Sequence, residues 1–250
     1  MTVQMLNMEC ASKIHQIFFK FDHRELHDYP VFVESYNAFR RMPGWEYRLW
    51  NEEDVEHLCK RQYPRFWETY RTLKYDIMRV DAAKYMIADS FPYSVISDLD
   101  VVPSCHLDEF INTQPYVFDR CSRRSVICND FFFVGAGGLP GIFEYFVSNL
   151  ARVDGIPCYK QRLLRYVFHA SGPDFWTRYL KKRGLDRYVA ALSTRTFLDP
   201  KQRHRSVTHP SPKLQIIHHL SWVEHVRTKV ARVSRSSADC EGAPASASVS

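Results

Sequence analysis

The chain has 250 residues, of which 45% are hydrophobic and 25% are charged, and this composition is typical of a globular protein with a hydrophobic core. No apolar run reaches the roughly 18 residues that a membrane-spanning helix needs, and residues 1–10 lack the apolar block of a signal peptide. We therefore expect a cytoplasmic protein without a transmembrane segment.

Charge is divided unevenly along the chain. Residues 1–150 contain 16 Lys and Arg against 21 Asp and Glu, a net of −5, whereas residues 151–235 contain 18 against 5, a net of +13. A basic segment favours an anionic partner such as a nucleotide diphosphate, a nucleic acid or an acidic membrane surface. Residues 234–250 are mostly small or polar, which predicts a disordered tail after a single domain spanning residues 1–233.

The seven cysteines form no CxxC pair, and their odd number argues against a disulfide framework and a zinc ribbon. Unpaired thiols in a reducing compartment are the expectation. A contact between Cys121 and Cys128 across a hairpin is the alternative.

Strands and helices alternate in the first half of the chain, which predicts an α/β fold with a mainly parallel sheet. Pro43-Gly44 ends the first helix, and Asn51 is a good N-cap for the second. The predicted elements in chain order are strand 13–19, helix 30–42, strand 46–50, helix 51–62, a helix opening at Pro64, helix 75–90, strand 94–97, short strands at 116–118, 125–128 and 131–134, helix 142–151, helical residues 159–183 interrupted at 171–173, and strand 214–217.

Two carboxylates follow the apolar strand 94–97 directly, in the sequence Asp98-Leu99-Asp100. Alternate side chains of an extended segment point the same way, so both acids face one side. In α/β sheets, ligands bind beyond the carboxyl ends of the strands. Paired carboxylates there suit a hard divalent cation that keeps open positions for phosphate oxygens.

Several short motifs follow one another in a set order along the chain. They are Ile14-His15-Gln16-Ile17-Phe18, Tyr47-Arg48-Leu49-Trp50, the helical pattern Arg79-Val80-Asp81-Ala82-Ala83-Lys84-Tyr85, Asp98-Leu99-Asp100-Val101, Asn129 before an apolar strand, Ser171-Gly172-Pro173, and the closing His218, His219, Ser221 and Trp222. This order of motifs resembles glycosyltransferase family 32. The match extends from about residue 12 to 223.

This resemblance implies a GT-A-type nucleotide-sugar-binding fold and a retaining glycosyltransferase that depends on Mn²⁺ or Mg²⁺. The donor would be a UDP- or GDP-sugar, and the acceptor a glycan, protein or lipid. The implied catalytic residues are Asp98, Asp100, Lys84 and Asn129. Donor-binding residues would be Gln16, Phe18, Asp81, Lys84, Asp98, Ser221 and Trp222, and metal ligands Asp98, Asp100 and His218.

The chain departs from the family pattern at several places, including a shorter spacing between the closing His-His and Ser-Trp pairs. Lys84 stands where the family has Arg, Phe18 replaces a Trp, and Tyr93 begins the segment that is Gly-Gly-Ile-Tyr in the family. A catalytically inactive nucleotide-sugar-binding relative is therefore one alternative. A basic nucleic-acid-binding module is the other, although the sequence contains no recognised nucleic-acid-binding motif.

Overall fold

The computed structural model describes residues 12–21, 24–111, 114–120, 126–156, 163–197 and 212–218. All of these lie within one compact unit, residues 1–219. Side chains are described throughout these ranges except at 195–197 and 217–218, where only the backbone is. The predicted boundary between a domain ending at residue 233 and a tail at 234–250 lies outside the described residues and stays a prediction.

A six-stranded sheet forms the centre of the described chain, in the order β2-β1-β3-β6-β5-β7. Three of its pairings are parallel (β1 with β2, β1 with β3, β5 with β7), and β6 runs antiparallel to both β3 and β5. The strands are β1 Lys13–Ile17, β2 Glu46–Trp50, β3 Ser94–Ser97, β5 Tyr116–Arg120, β6 Ile127–Val134 and β7 Val189–Ala190. The predicted α/β fold with a mainly parallel sheet is confirmed.

A second sheet of three strands has the order β4-β9-β8. Its strands are β4 Val101–Pro103, β8 Ser193–Phe197 and β9 Leu214–His218. Strand β4 is antiparallel to β9, with Val101 opposite Ile216. Because β4 follows β3 after three residues, the acidic turn formed by residues 98–100 joins the two sheets, as do residues 191–192 between β7 and β8.

Helices connect these strands. They are α1 Pro30–Arg40, α2 Glu52–Gln62, α3 Pro64–Arg71, α4 Asp76–Ser90, α5 Asp108–Ile111, α6 Ile142–Asp154, α7 Leu163–Ala170 and α8 Pro173–Arg183. Asn51 begins α2 as expected. Its side chain accepts a hydrogen bond from the backbone amide of Asp54, and the Asp54 side chain accepts one from the backbone amide of Asn51. Within the described ranges, no helix is both long enough and apolar enough to cross a membrane.

Helix α4 is buried for most of its length, which explains its Ala-rich sequence. Ten of its residues are buried, and they include Asp81 and Lys84 among the apolar side chains. A helix that is apolar on almost every side belongs in a core. Two ionised side chains in such a helix need partners there, and those partners define the candidate site.

Strand β6 is longer than the sequence predicts. Residues 125–128 and 131–134 are expected to form two short strands, because Asn129 and Asp130 interrupt the apolar run. In the structure, Ile127–Val134 is one continuous strand and all eight residues are buried. The two polar residues are therefore part of the sheet and not of a turn.

The cysteine prediction holds in part. Cys59 and Cys105 are free thiols, but Cys128 is disulfide-bonded. Its partner lies outside the described residues. The expectation of unpaired thiols is therefore wrong for Cys128, since disulfide formation depends on a spatial approach that sequence spacing does not show.

Tyr93, which precedes β3, has a φ of 57°, the left-handed region that disfavours side chains with a Cβ. This is a position where the resembled family has Gly. We predict that Tyr93→Gly is more stable than Tyr93→Ala by about 1 kcal/mol, because only Gly relieves the backbone strain. Urea unfolding of both variants measures the difference. Equal stabilities would contradict a strained backbone at this residue.

Candidate active site

The acidic turn begins at the carboxyl end of β3, in the middle of the large sheet. Hydrogen bonding between β3 and β6 extends one residue beyond the strand, since the Asp98 amide donates to the Asp130 carbonyl at 2.7 Å. Asp98 is thereby held beside Asp130, the fourth residue of β6. Strand β1 runs parallel to β3, so its own carboxyl end, at Ile17 and Phe18, lies at the same edge of the sheet.

Lys84 is the cation that contacts the acidic turn. Its Nζ lies 2.6 Å from Asp98 Oδ1 and 2.8 Å from Asp98 Oδ2, and 3.6 Å from Asp81 Oδ1. The Lys84 side chain is only 4% exposed, whereas that of Asp98 is 31% exposed. Burial would lower the pKa of Lys84, but Asp98, Asp81 and Asp130 together raise it, so Lys84 stays charged.

Asp81 is held by a buried hydrogen-bond network. Its Oδ1 accepts from Asn129 Nδ2 at 2.8 Å, and its Oδ2 accepts from Ser171 Oγ at 2.7 Å. The Tyr85 hydroxyl donates to the Ser171 carbonyl at 2.7 Å and accepts from Asn129 Nδ2 at 3.1 Å. The network joins α4, β6 and the turn before α8. Burial raises the pKa of Asp81, although these partners and Lys84 oppose the rise.

Among the described side chains of this cluster, carboxylates outnumber cations. Burial raises the pKa of Asp98 to about 8; Lys84 opposes this rise, and Asp100 and Asp130 add to it. Asp81, Asp98 and Asp130 act electrostatically on Lys84, and Asp100 acts on Asp98. Carboxyl groups whose pKa is raised in this way hold protons that a bound cation can replace, so the cluster favours cation binding with release of protons.

The structure brings four of the predicted catalytic and donor-binding residues together: Asp81, Lys84, Asp98 and Asn129. Asp100 joins them through its electrostatic effect on Asp98. The contacts of Asp81 and Asn129 described above are all to protein groups, and both side chains are buried. Their predicted contact with the donor sugar or acceptor stays a prediction.

Gln16 and Phe18 lie near this cluster in different environments. Gln16 is fully buried, and its Nε2 donates to the Asp98 carbonyl at 3.1 Å. Phe18 is half-buried at the end of β1, with its ring 6.5 Å from that of Tyr29 in an edge-to-face arrangement. Only Phe18 therefore presents a partly open surface to a ligand, and its role in base stacking stays a prediction.

Trp50 is a packing residue. It is 2% exposed, and its Nε1 donates to His15 Nδ1 at 3.0 Å. Since Nδ1 accepts that bond, the neutral ring carries its proton on Nε2, which donates to Ser94 Oγ at 3.1 Å. Burial lowers the pKa of His15 to about 3, so this histidine stays neutral at physiological pH.

The predicted third metal ligand is described only in its backbone. Strand β9 includes His218, and the antiparallel pairing of Val101 with Ile216 carries the following residues of β9 towards the acidic turn. The His218 side chain, like Ser221 and Trp222, lies outside what is described. Among the described side chains, no group of three or more His, Cys, Asp or Glu residues is arranged to hold a metal ion.

Sequence reasoning missed two residues near the site, Ser35 and Tyr85. Tyr85 stands inside the matched helical pattern, but nothing in the sequence connects its hydroxyl with Asn129. Ser35 lies on α1 without any motif around it, yet it is fully buried and contacts Gln16. The position of Ser35 four residues before Phe39, on the core-facing side of α1, is a sequence signal that points to such a contact.

Comparison with curated proteins finds two yeast relatives. Mannosyl phosphorylinositol ceramide synthase CSH1 of Saccharomyces cerevisiae is 31% identical over 88 residues, which cover 35% of this chain and 23% of that protein. The SUR1 synthase of the same yeast is 38% identical over 58 residues, covering 23% and 15%. This similarity supports the resemblance to glycosyltransferase family 32. The matched segments span less than a quarter of either yeast protein, and no family model matches the chain.

Two solved structures are also similar to this chain. The PaToxG glycosyltransferase matches at a TM-score of 0.48 and 10% identity, covering 70% of each chain. Mouse xyloside xylosyltransferase 1 in its apo form matches at a TM-score of 0.46 and 11% identity, covering 82% of this chain and 96% of the mouse protein. Because both TM-scores lie below 0.5, the functional argument depends on the residues of the site.

Proposed function

We propose that this chain is a GT-A-type glycosyltransferase that moves a sugar from a UDP- or GDP-sugar to an acceptor hydroxyl with the help of Mn²⁺ or Mg²⁺. The observation that carries the proposal is the cluster at the end of β3, where Asp81, Asp98 and Asp130 act on Lys84 and Asp100 acts on Asp98. Such an acidic site repels a nucleotide diphosphate unless a cation is bound between them. The relatives' names support the same reaction class.

The carboxylate oxygens of the acidic turn fit a divalent cation. Carboxylate oxygens are the ligands that Mg²⁺ and Mn²⁺ prefer, and Asp100 and Asp98 supply them at a partly exposed turn. Asp98 already contacts Lys84 through both oxygens, so Asp100 would be the stronger protein ligand. His218 is the proposed third ligand. The bound metal would act as a Lewis acid on the departing diphosphate.

The other residues would orient the site. Lys84 fixes the Asp98 carboxylate, and its charge would lie near the phosphates. Asp81 fixes Lys84 from the other side, and Asn129 with Ser171 holds Asp81. No described residue is assigned as a general base. A retaining reaction, in which the leaving phosphate takes the acceptor proton, is part of the proposal.

A panel of nucleotide sugars tests this function. Each donor is incubated with the protein and Mn²⁺, and release of the nucleoside diphosphate is measured with and without EDTA. Because the relatives are named mannosyl phosphorylinositol ceramide synthases, a nucleotide-linked mannose is the first donor to test, with an inositol phosphorylceramide as acceptor. Metal-dependent turnover of one donor supports the proposal, whereas binding of metal and nucleotide without any turnover would favour the catalytically inactive relative.

Phe18 is expected to contribute to nucleotide affinity. Stacking of an aromatic ring on a base contributes roughly 1–3 kcal/mol, so Phe18→Ala should weaken UDP or GDP binding by about 5- to 150-fold. Calorimetry measures the affinity, and Phe168→Ala, which removes an exposed ring of α7, is the control. An unchanged affinity in Phe18→Ala would mean that the ring belongs only to the core.

A further inference from the structure

Two buried polar side chains, Gln16 of β1 and Ser35 of α1, hydrogen-bond to the backbone of the acidic turn and of β4. Gln16 Nε2 donates to the Asp98 carbonyl at 3.1 Å and to Ser35 Oγ at 2.8 Å. Ser35 Oγ in turn donates to the Val101 carbonyl at 2.5 Å. The carbonyls at the first residue of the turn and at the first residue of β4 are thus both bound by the same pair of side chains.

The chemistry of these groups fixes the direction of every bond. Carbonyl oxygens only accept, so the single Ser35 hydroxyl proton goes to Val101 and Ser35 must accept from Gln16. The Gln16 amide then uses both of its hydrogens, one on Ser35 and one on Asp98. Its Oε1 accepts from the Tyr47 hydroxyl at 2.9 Å. The amide therefore has one orientation that satisfies all three neighbours.

Because Gln16 and Ser35 are buried, their contacts with the turn differ from direct contacts with a ligand. Gln16 and Ser35 are both 0% exposed, so a nucleotide cannot reach either side chain without opening the core. Burial also raises the pKa of the Tyr47 hydroxyl, which keeps it protonated as a donor. Buried polar groups are stabilising only when each has its partner. Removing the Gln16 amide would leave Ser35 without its donor, and the Asp98 carbonyl would keep only the bonds from Ser97 Oγ at 3.1 Å and from the Val101 backbone amide at 3.3 Å.

We infer that Gln16 and Ser35 are positioning residues that fix the backbone of residues 98–101 and thereby the direction of the Asp98 and Asp100 carboxylates. The expected effect of these two residues on catalysis rests on the proposed function, whereas their effect on the backbone of the turn does not. Metal and phosphate sites require ligands held within a fraction of an ångström. A turn whose two carbonyls are released would hold its acids less accurately.

Hydrogen exchange of the metal-free and nucleotide-free protein tests the inference directly. Gln16→Met removes both donors at similar volume, and Ser35→Ala removes the bond to Val101. In each variant, exchange of the amides of residues 98–101 should become about tenfold faster, the change expected for the loss of one buried hydrogen bond. Tyr47→Phe is the matched control, since it removes a bond to Gln16 but leaves both donors to the turn, and its exchange should stay within about twofold.

Kinetics then separate positioning from general destabilisation. In folded Ser35→Ala, kcat should fall about tenfold and the Mn²⁺ affinity measured by calorimetry with UDP or GDP should fall similarly, while the KM for the nucleotide sugar changes little. A merely structural role would lower the amount of active protein without changing the Mn²⁺ affinity of the folded fraction. If Gln16→Met does not fold, Ser35→Ala decides the question alone.

The failures of the two proposals are distinguishable. Exchange at wild-type rates in the turn of Ser35→Ala, or equal acceleration in Tyr47→Phe, would overturn the positioning role even if the wild-type protein transfers sugar. Accelerated exchange in Gln16→Met and Ser35→Ala, with no metal or nucleotide binding by the wild type, would support the positioning role and refute the proposed function.

Discussion

Replacing Asp100 by asparagine is expected to reduce metal-dependent turnover by about 100-fold or more, while the protein stays folded. A directly bound metal ion contributes several kcal/mol of transition-state stabilisation, and each 1.4 kcal/mol corresponds to a factor of ten in rate. Asn has the size of Asp but not its charge. Asp100 lies in a partly exposed turn between two strands, so the substitution leaves the core untouched.

Three measurements and one control complete this test. Circular dichroism and urea unfolding confirm the fold, and calorimetry with a nucleoside diphosphate measures Mn²⁺ affinity. Glu109→Gln is the control, because it removes a carboxylate that pairs with Lys213 at the surface, where the two side chains are 48% and 38% exposed. Its turnover should stay within about twofold. Full turnover in Asp100→Asn would remove Asp100 from the metal site.

Most of the fold could be predicted from the sequence because its signals are local. Asn51 begins α2 with its predicted cap, and strand 94–97 appears with the expected bounds. The division of β6 into two strands was an error with a physical cause. Asn129 and Asp130 interrupt an apolar run, but in the structure Asn129 is satisfied by Asp81 and Tyr85 inside the core. A polar residue with buried partners does not end a strand.

The candidate site was predictable only in part. The acids at the end of β3 and the pair on α4 follow from strand order and helical spacing. The contacts that hold them come from residues distant in sequence: Ser171 is 90 residues from Asp81, and Ser35 is 66 from Val101. Nothing in the local pattern encodes such pairs. They arise because a buried polar group must find a partner wherever the fold places one.

Replacing Lys84 by methionine is expected to destabilise the protein by about 3 kcal/mol, at the lower end of the cost of breaking a buried ion pair. The lower end applies because the Asp98 side chain is 31% exposed, so water still solvates part of its charge. Asp81, in contrast, is 4% exposed and would lose the cation that lies 3.6 Å from its carboxylate. Lys84→Arg, which restores the residue of the resembled family, keeps the charge and should lose much less.

The dependence of this loss on pH distinguishes uncompensated charge from lost packing. Burial already raises the pKa of Asp81, and removal of Lys84, whose charge lowers it, would raise it further. From about pH 4, the ordinary carboxyl pKa, the unfolded chain then releases a proton that the folded variant retains, so the stability of the variant falls as the pH increases.

Urea unfolding at pH 4.5 and 8 should therefore show a larger difference between Lys84→Met and the wild type at pH 8. Lys13→Met, which breaks an exposed ion pair with Glu46, should show a small difference at both pH values. An equal deficit of Lys84→Met at the two pH values would mean that Lys84 stabilises the fold through its aliphatic chain and not through its charge.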